Sequence, residues 1–118
     1  MVRSTWAELT ADLEGNDLAM IHAYCEICRK LPGIEERVNR TDISYAVKRT
    51  FTSAYVKNHW LEMSVDLLRE AKHPQLRTAF HTTKTFITHR LTISTVAQVR
   101  SAEKLIREAC ETVGPGTR

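Results

Sequence analysis

A chain of 118 residues with 42% hydrophobic and 26% charged residues has the make-up of one ordinary globular domain, long enough for a single core. The formal charge of +3 is modest, and no apolar run approaches the roughly 20 residues of a membrane span. The N-terminus lacks a hydrophobic signal core and the cysteines number three, so secretion and a disulfide framework are both disfavoured and a cytoplasmic location is expected.

Thr5 and Glu8 have the spacing of a capping box and Gly15 that of a C-terminal stop, which predicts a short helix over 5–14. Asn16 or Asp17 caps a second helix reaching about Leu31, where Leu18, Ile21, Cys25, Cys28 and Leu31 form one apolar stripe and Pro32-Gly33 ends it. Short strands are expected over 34–39 and 43–47, around a polar turn at Arg40-Thr41-Asp42. A hairpin of strands 50–56 and 60–68 follows, with Asn58 placed for the left-handed position of its turn. Leu61, Met63, Val65 and Leu67 alternate with Glu62, Ser64 and Asp66, the cleanest period-two pattern in the chain.

His73-Pro74 then predicts a short helix through Gln75, Leu76, Ala79 and Phe80, and 84–93 the last strand. Ser94 or Thr95 caps a closing helix carrying Val96, Val99, Leu105, Ile106, Ala109, Cys110 and Val113, and Gly114-Pro115-Gly116 stops it. The expected fold is a single α+β domain over 1–118. An antiparallel sheet of about four to five strands packs against N- and C-terminal helices in one layer on one face, with an ordered core over about 5–113 and a flexible tail over 114–118.

Charge is unevenly placed. From Arg40 to Ser94 nine Lys/Arg face four Asp/Glu, a net +5, and the rest of the chain nets −2. His59, His73, His81 and His89 share that basic segment. Lys48, Arg49, Lys57, Lys84 and Arg90, interleaved with Phe51, Tyr55, Trp60 or Phe86, have the chemistry of a single-strand nucleic-acid surface: cations for phosphates, rings for bases. Strand parity divides the set, with Arg49, Phe51 and Tyr55 on one face and Lys48 on the other.

His89 alternates with Ile87, Leu91 and Ile93, which turns its ring to the core and Arg90 to the opposite face. Such a histidine is either a hydrogen-bonded core residue or the wall of a pocket, with Tyr45, His59 or Asp42 as polar partner. His22-x-x-Cys25-x-x-Cys28 has the look of a metal or redox motif, but at about 100° per residue His22 and Cys28 diverge, and the pair sits mid-helix on the apolar stripe. No metal site or cofactor is expected. No glycine-rich phosphate loop, nucleophile elbow or cluster of carboxylates is present.

The ordered pattern from about Leu9 to Val113 resembles a family of small bacterial domains of unknown function, number 5655 of that series. The residues that carry it are Leu13-Glu14-Gly15, Leu31-Pro32-Gly33-Ile34-Glu35, the run Ile43–Phe51, Leu61-x-Met63-x-Val65-x-Leu67, His73-Pro74, Thr88-His89-Arg90-Leu91 and Leu105-Ile106-Arg107-Glu108-Ala109. Cys110 stands where that family usually has an aromatic residue. The resemblance implies a compact α+β domain without established catalytic residues. Some similar domains are joined to zinc-knuckle-like or restriction-nuclease-like segments, which implies nucleic-acid work; no Cys-x-x-Cys knuckle precedes Trp6 here.

The expectation is therefore a non-catalytic binding or interaction module for nucleic acid or another anionic partner, with His89, Arg90, Arg49, Tyr45 and His59 as candidate ligand residues. A small-ligand binder or small enzyme with His89 lining a pocket is the second reading. A homodimer joined through its sheet, with Phe51, Tyr55 and Trp60 as anchors, is the third.

Overall fold

A computed structural model describes residues 4–116. Four helices and six strands alternate in blocks: α1 (Trp6–Leu9), α2 (Gly15–Arg29), β1 (Glu35–Val38), β2 (Asp42–Ala46), β3 (Thr50–Val56), β4 (Leu61–Leu67), β5 (Leu76–His81), β6 (Ile87–Ile93), α3 (Val96–Ser101) and α4 (Glu103–Thr112). The strands form one open antiparallel sheet in the order β1-β2-β3-β4-β6-β5. No helix among the described residues is long and apolar enough to cross a membrane.

The capping box of α1 is present in both directions. Glu8 N donates to Thr5 Oγ1 and Thr5 N to Glu8 Oε1, each at 3.1 Å. The helix ends at Leu9 rather than near residue 14, where the Thr10 hydroxyl bonds back to the Trp6 carbonyl and closes the turn. Gly15 does not stop this helix. It opens α2, in the left-handed region at φ +56°, and re-aims the chain into the new axis. Trp6 ties the two together, with its ring 5.2 Å from that of His22 and the Arg29 guanidinium 5.3 Å above it.

The expected helix after His73-Pro74 is a strand, which makes six strands where four to five were expected. Leu76, Ala79 and Phe80 have helical spacing in the sequence, but β5 pairs with β6 through Leu76↔Leu91 and His81↔Ile87, with a bulge between Leu76 and Thr78. The hairpin closes because Thr83 Oγ1 accepts from the N–H groups of both Thr85 and Phe86. In the β3–β4 turn it is His59, at φ +69°, that adopts the left-handed conformation expected of Asn58.

A second bulge matters more for the surface. Pairing of β2 with β3 steps from Tyr45↔Thr52 to Ala46↔Thr50 and leaves Phe51 as the extra residue. Phe51 is thereby turned into the core, fully buried, and does not share a face with Tyr55. The closing helix divides at Ala102, where an N–H bond to the Val99 carbonyl tightens the turn between α3 and α4. Thr95 is its N-cap, accepting from Gln98 N.

Helices α2 and α4 pack against β3 and β4, and α3 against β6. Tyr45, Phe51, Ala54, Met63, Val65, Leu91 and Ile93 are closed off completely in one cluster with Met20, Tyr24, Cys28 and Ile106. The start of the expected tail is tied down. The Gly114 carbonyl accepts from Lys48 N at 2.8 Å and Arg49 N at 3.1 Å, so the end of α4 holds the β2–β3 loop. A Cβ at Gly114 would lie 2.5 Å from the Cys110 carbonyl oxygen, so the position admits no side chain without movement. The last two residues of that tail, 117 and 118, lie outside the described residues.

Candidate functional site

The face of the sheet turned away from α2 and α4 is built by register. Arg37, Ser44, Ser53, Ser64, Arg90 and Thr78 are successive cross-strand partners, one from each of the six strands. Their side chains must share a face, since directly paired residues project to the same side. Three serines in the middle of this row make it low, and Ser53 Oγ and Ser64 Oγ share a 2.6 Å hydrogen bond. Arg37 and Arg90 stand at its two ends. Four strand spacings separate them, about 19 Å.

A row of paired residues runs along each side of this furrow. On one side Asp42, Tyr55, Glu62 and Thr92 are paired in turn. On the other Asp66, Thr88 and Phe80 are paired in turn. The Arg90 guanidinium lies 5.1 Å from the Phe80 ring and Lys57 Nζ 5.8 Å from the Tyr55 ring, so each flanking aromatic carries a cation. Phe80 is one of two large hydrophobic residues left exposed among the described residues, the other being Leu68.

At the β1–β3 end the face dips into a concavity of about 330 Å³ lined by Arg37, Asn39, Asp42, Ser44, Ser53 and Tyr55. Its polar floor is withdrawn from solvent, with Asn39 and Asp42 each 5% exposed and Ser44 9%. Asn39 Nδ2 donates to Asp42 Oδ2 at 3.3 Å. Arg37 is braced by Glu35 at 2.7 Å and by Thr50 Oγ1 at 3.2 Å.

At the opposite end Arg49 stacks on Phe86, its guanidinium carbon 4.0 Å from the ring centroid. Its Nε is buried without a hydrogen-bond partner. Asp66 lies close by, accepting from the Thr88 hydroxyl at 2.7 Å, and Thr88 shares a short hydrogen bond with Thr82. Burial raises the Asp66 carboxyl above its ordinary value; the Thr88 hydrogen bond and the Arg49 charge pull the other way.

The five residues singled out in the sequence do not converge. His89 is 1% exposed on the helix-facing side; Nε2 accepts from Ala71 N at 2.8 Å, and Nδ1 meets the Ile87 carbonyl at 3.2 Å. With both nitrogens engaged the imidazole has the Nδ1–H tautomer and serves the backbone. Neither the concavity above nor the one between Ser4, Glu8, Asp12, Arg40 and Thr41 is lined by it. Tyr45 is buried three strands away, donating its hydroxyl to Glu36 Oε2 at 2.7 Å. His59 sits out at the β3–β4 turn with Nδ1 3.0 Å from Asp17 Oδ2. Arg90 projects from the other side of β6 over the Phe80 ring, and Arg49 lies over Phe86, so these two are held by different aromatic partners.

All three cysteines are buried. Burial pushes the Cys25 thiol up to about 11 and raises those of Cys28 and Cys110. No group of His, Cys, Asp and Glu able to hold a metal ion occurs among the described residues.

No family model, curated protein or solved structure matches this chain. Arg37, Ser44, Ser53, Ser64 and Phe80 escaped the sequence reading because their alignment depends on register across six strands. One signal was there to find: no acidic residue occurs between Glu70 and Glu103, while Lys72, Arg77, Lys84, Arg90 and Arg100 do, which marks the β5–β6 side of the sheet as basic.

Proposed function

We propose that this protein is a non-catalytic binding module. The furrow on the helix-free side of its sheet takes an extended anionic ligand, of which single-stranded nucleic acid fits best. The observation that carries this reading is the Arg37–Ser44–Ser53–Ser64–Arg90 row, a low track with a cation at each end and the aromatic side chains of Tyr55 and Phe80 along its flanks. Phosphates pair with the arginines and bases stack on the rings, the two contributions that single-strand binders combine. A duplex is disfavoured, because Glu62 and Asp66 on the flanking rows would face its second phosphate backbone. The buried thiols, the engaged imidazole of His89 and the lack of converging acid–base groups support binding without chemistry.

Anisotropy titration of labelled single- and double-stranded oligonucleotides at low and moderate salt tests it. Single strands should bind more tightly than duplexes, and their affinity should fall as salt rises. Arg37→Ala and Arg90→Ala should each weaken binding to all sequences and lower the salt slope by about 1. Binding that is absent at low salt, or indifferent to salt, sinks the proposal.

A further inference from the structure

The concavity at the β1–β3 end of the furrow holds a carboxylate where an anionic polymer is meant to lie. Asp42 is 5% exposed and lines the cavity, with Asn39 and Ser44 beside it. A carboxylate accepts hydrogen bonds and donates none, and it repels phosphate, so only a group rich in donors is welcome against it. Asn39 Nδ2, bonded to Asp42 Oδ2 at 3.3 Å, fixes the orientation of that carboxylate before any ligand arrives.

Asp42 and Tyr55 are direct cross-strand partners, so their Cβ atoms stand about 5 Å apart and an aromatic ring borders the carboxylate. Arg37 also lines the concavity, and Lys57 Nζ stands 5.8 Å from the Tyr55 ring. A hydrogen-bond acceptor pair, a stacking ring and cations at the rim are the parts of a pocket for one nucleobase. About 330 Å³ lies at the small end of ligand cavities, which run from about 300 to 1,000 Å³.

We propose that this concavity reads guanine, with Asp42 accepting from its Watson–Crick edge and Tyr55 stacking on its plane. Guanine is the one common base whose Watson–Crick edge presents two adjacent donors, N1–H and N2–H, to match two carboxylate oxygens. Adenine and cytosine set an acceptor beside their single amino donor, and uracil flanks its one N–H with two carbonyls. Each of these three would bring a lone pair against Asp42. The inference rests on the furrow being a nucleic-acid surface, and it adds sequence preference to it.

The test compares labelled oligouridines carrying one central G, A, C or U, by anisotropy at about 50 and about 200 mM salt. The G-containing strand should bind roughly five- to a hundredfold more tightly than the others. Asp42→Asn should erase the preference while leaving the salt-dependent background. Tyr55→Leu should weaken the G strand most, and circular dichroism confirms that both variants fold. In parallel, guanosine and adenosine monophosphates are titrated by NMR, following Tyr55 and the Asp42 amide. Guanosine monophosphate should shift both at concentrations where adenosine monophosphate does not. Salt-dependent binding with equal affinity for all four strands overturns the guanine pocket and leaves the furrow standing. A response to guanosine monophosphate without binding of any strand keeps the pocket and removes the furrow. Failure of both overturns both.

Discussion

The two faces of the sheet are made from the same strands and differ in what covers them. On the helix-facing side the buried polar side chains have partners. The Tyr24 hydroxyl donates to Thr52 Oγ1 at 3.1 Å and Thr52 Oγ1 to the Ser64 carbonyl at 2.8 Å, His89 takes the Ala71 N–H, and the Tyr45 hydroxyl reaches Glu36. On the other side arginines and hydroxyls line a furrow and a concavity. A closed network makes one face a core. The other keeps polar and charged side chains at an open surface, where the proposed ligand would meet them.

Substitution should expose that contrast at once. Phe51→Ala removes a fully buried ring and should cost about 3–5 kcal/mol in urea unfolding, whereas Ser53→Ala, two residues along on the furrow side, should stay within about 0.5 kcal/mol. Equal losses at the two positions would mean that Phe51 does not face the core.

Next in size are changes that separate stability from binding. His89→Leu orphans the Ala71 N–H and should cost about 1–3 kcal/mol, with oligonucleotide affinity unchanged. Gly114→Ala should cost about 1–3 kcal/mol through its approach to the Cys110 carbonyl. Because Gly114 also holds the Lys48 and Arg49 amides, it should in addition weaken oligonucleotide binding. The same assay on both variants distinguishes a core residue from one that positions the proposed binding face.

The smallest effects concern two carboxylates that respond to acid in opposite senses. Arg29, bonded to Glu36 at 2.7 Å, holds that carboxyl below its ordinary value of 4.5, with the Tyr45 hydroxyl helping. Its contribution to stability is present above pH 4.5 and is lost as pH falls through the lowered folded value. Asp66 is raised above its ordinary 3.8 by burial, so its contribution is fully present below pH 3.8 and is lost as pH rises through the folded value. Glu36→Gln should therefore flatten the acid side of the stability profile. Asp66→Asn should remove the decline above pH 3.8 and leave the protein at least as stable near neutrality. Urea midpoints across pH 3 to 7 show both; matching responses from the two variants would contradict the assigned environments.

Legibility in the sequence followed the range of the interactions. The half-buried strand β4 was readable because Leu61, Met63, Val65 and Leu67 carry the two-residue period themselves. The inward turn of His89 and the outward turn of Arg90 were readable for the same reason. The strand β5 was not, because Leu76, Ala79 and Phe80 have the spacing of a helix, and pairing with β6 overrides it. Nor was Phe51, whose facing depends on a bulge against Tyr45 and Ala46.

By itself the sequence determined the class of the fold, the apolar faces of its long helix and central strands, and the concentration of positive charge in its middle. These are local properties, set by side-chain period, capping residues and composition. Tertiary structure alone decided which cations share a face. Arg37 and Arg90 lie 53 positions apart in the chain and end on one row of the sheet, while Tyr45 and His59, nearer to Arg37 in sequence, end elsewhere. Register is a sum over turns and bulges, and each one-residue step reverses the face that a side chain occupies.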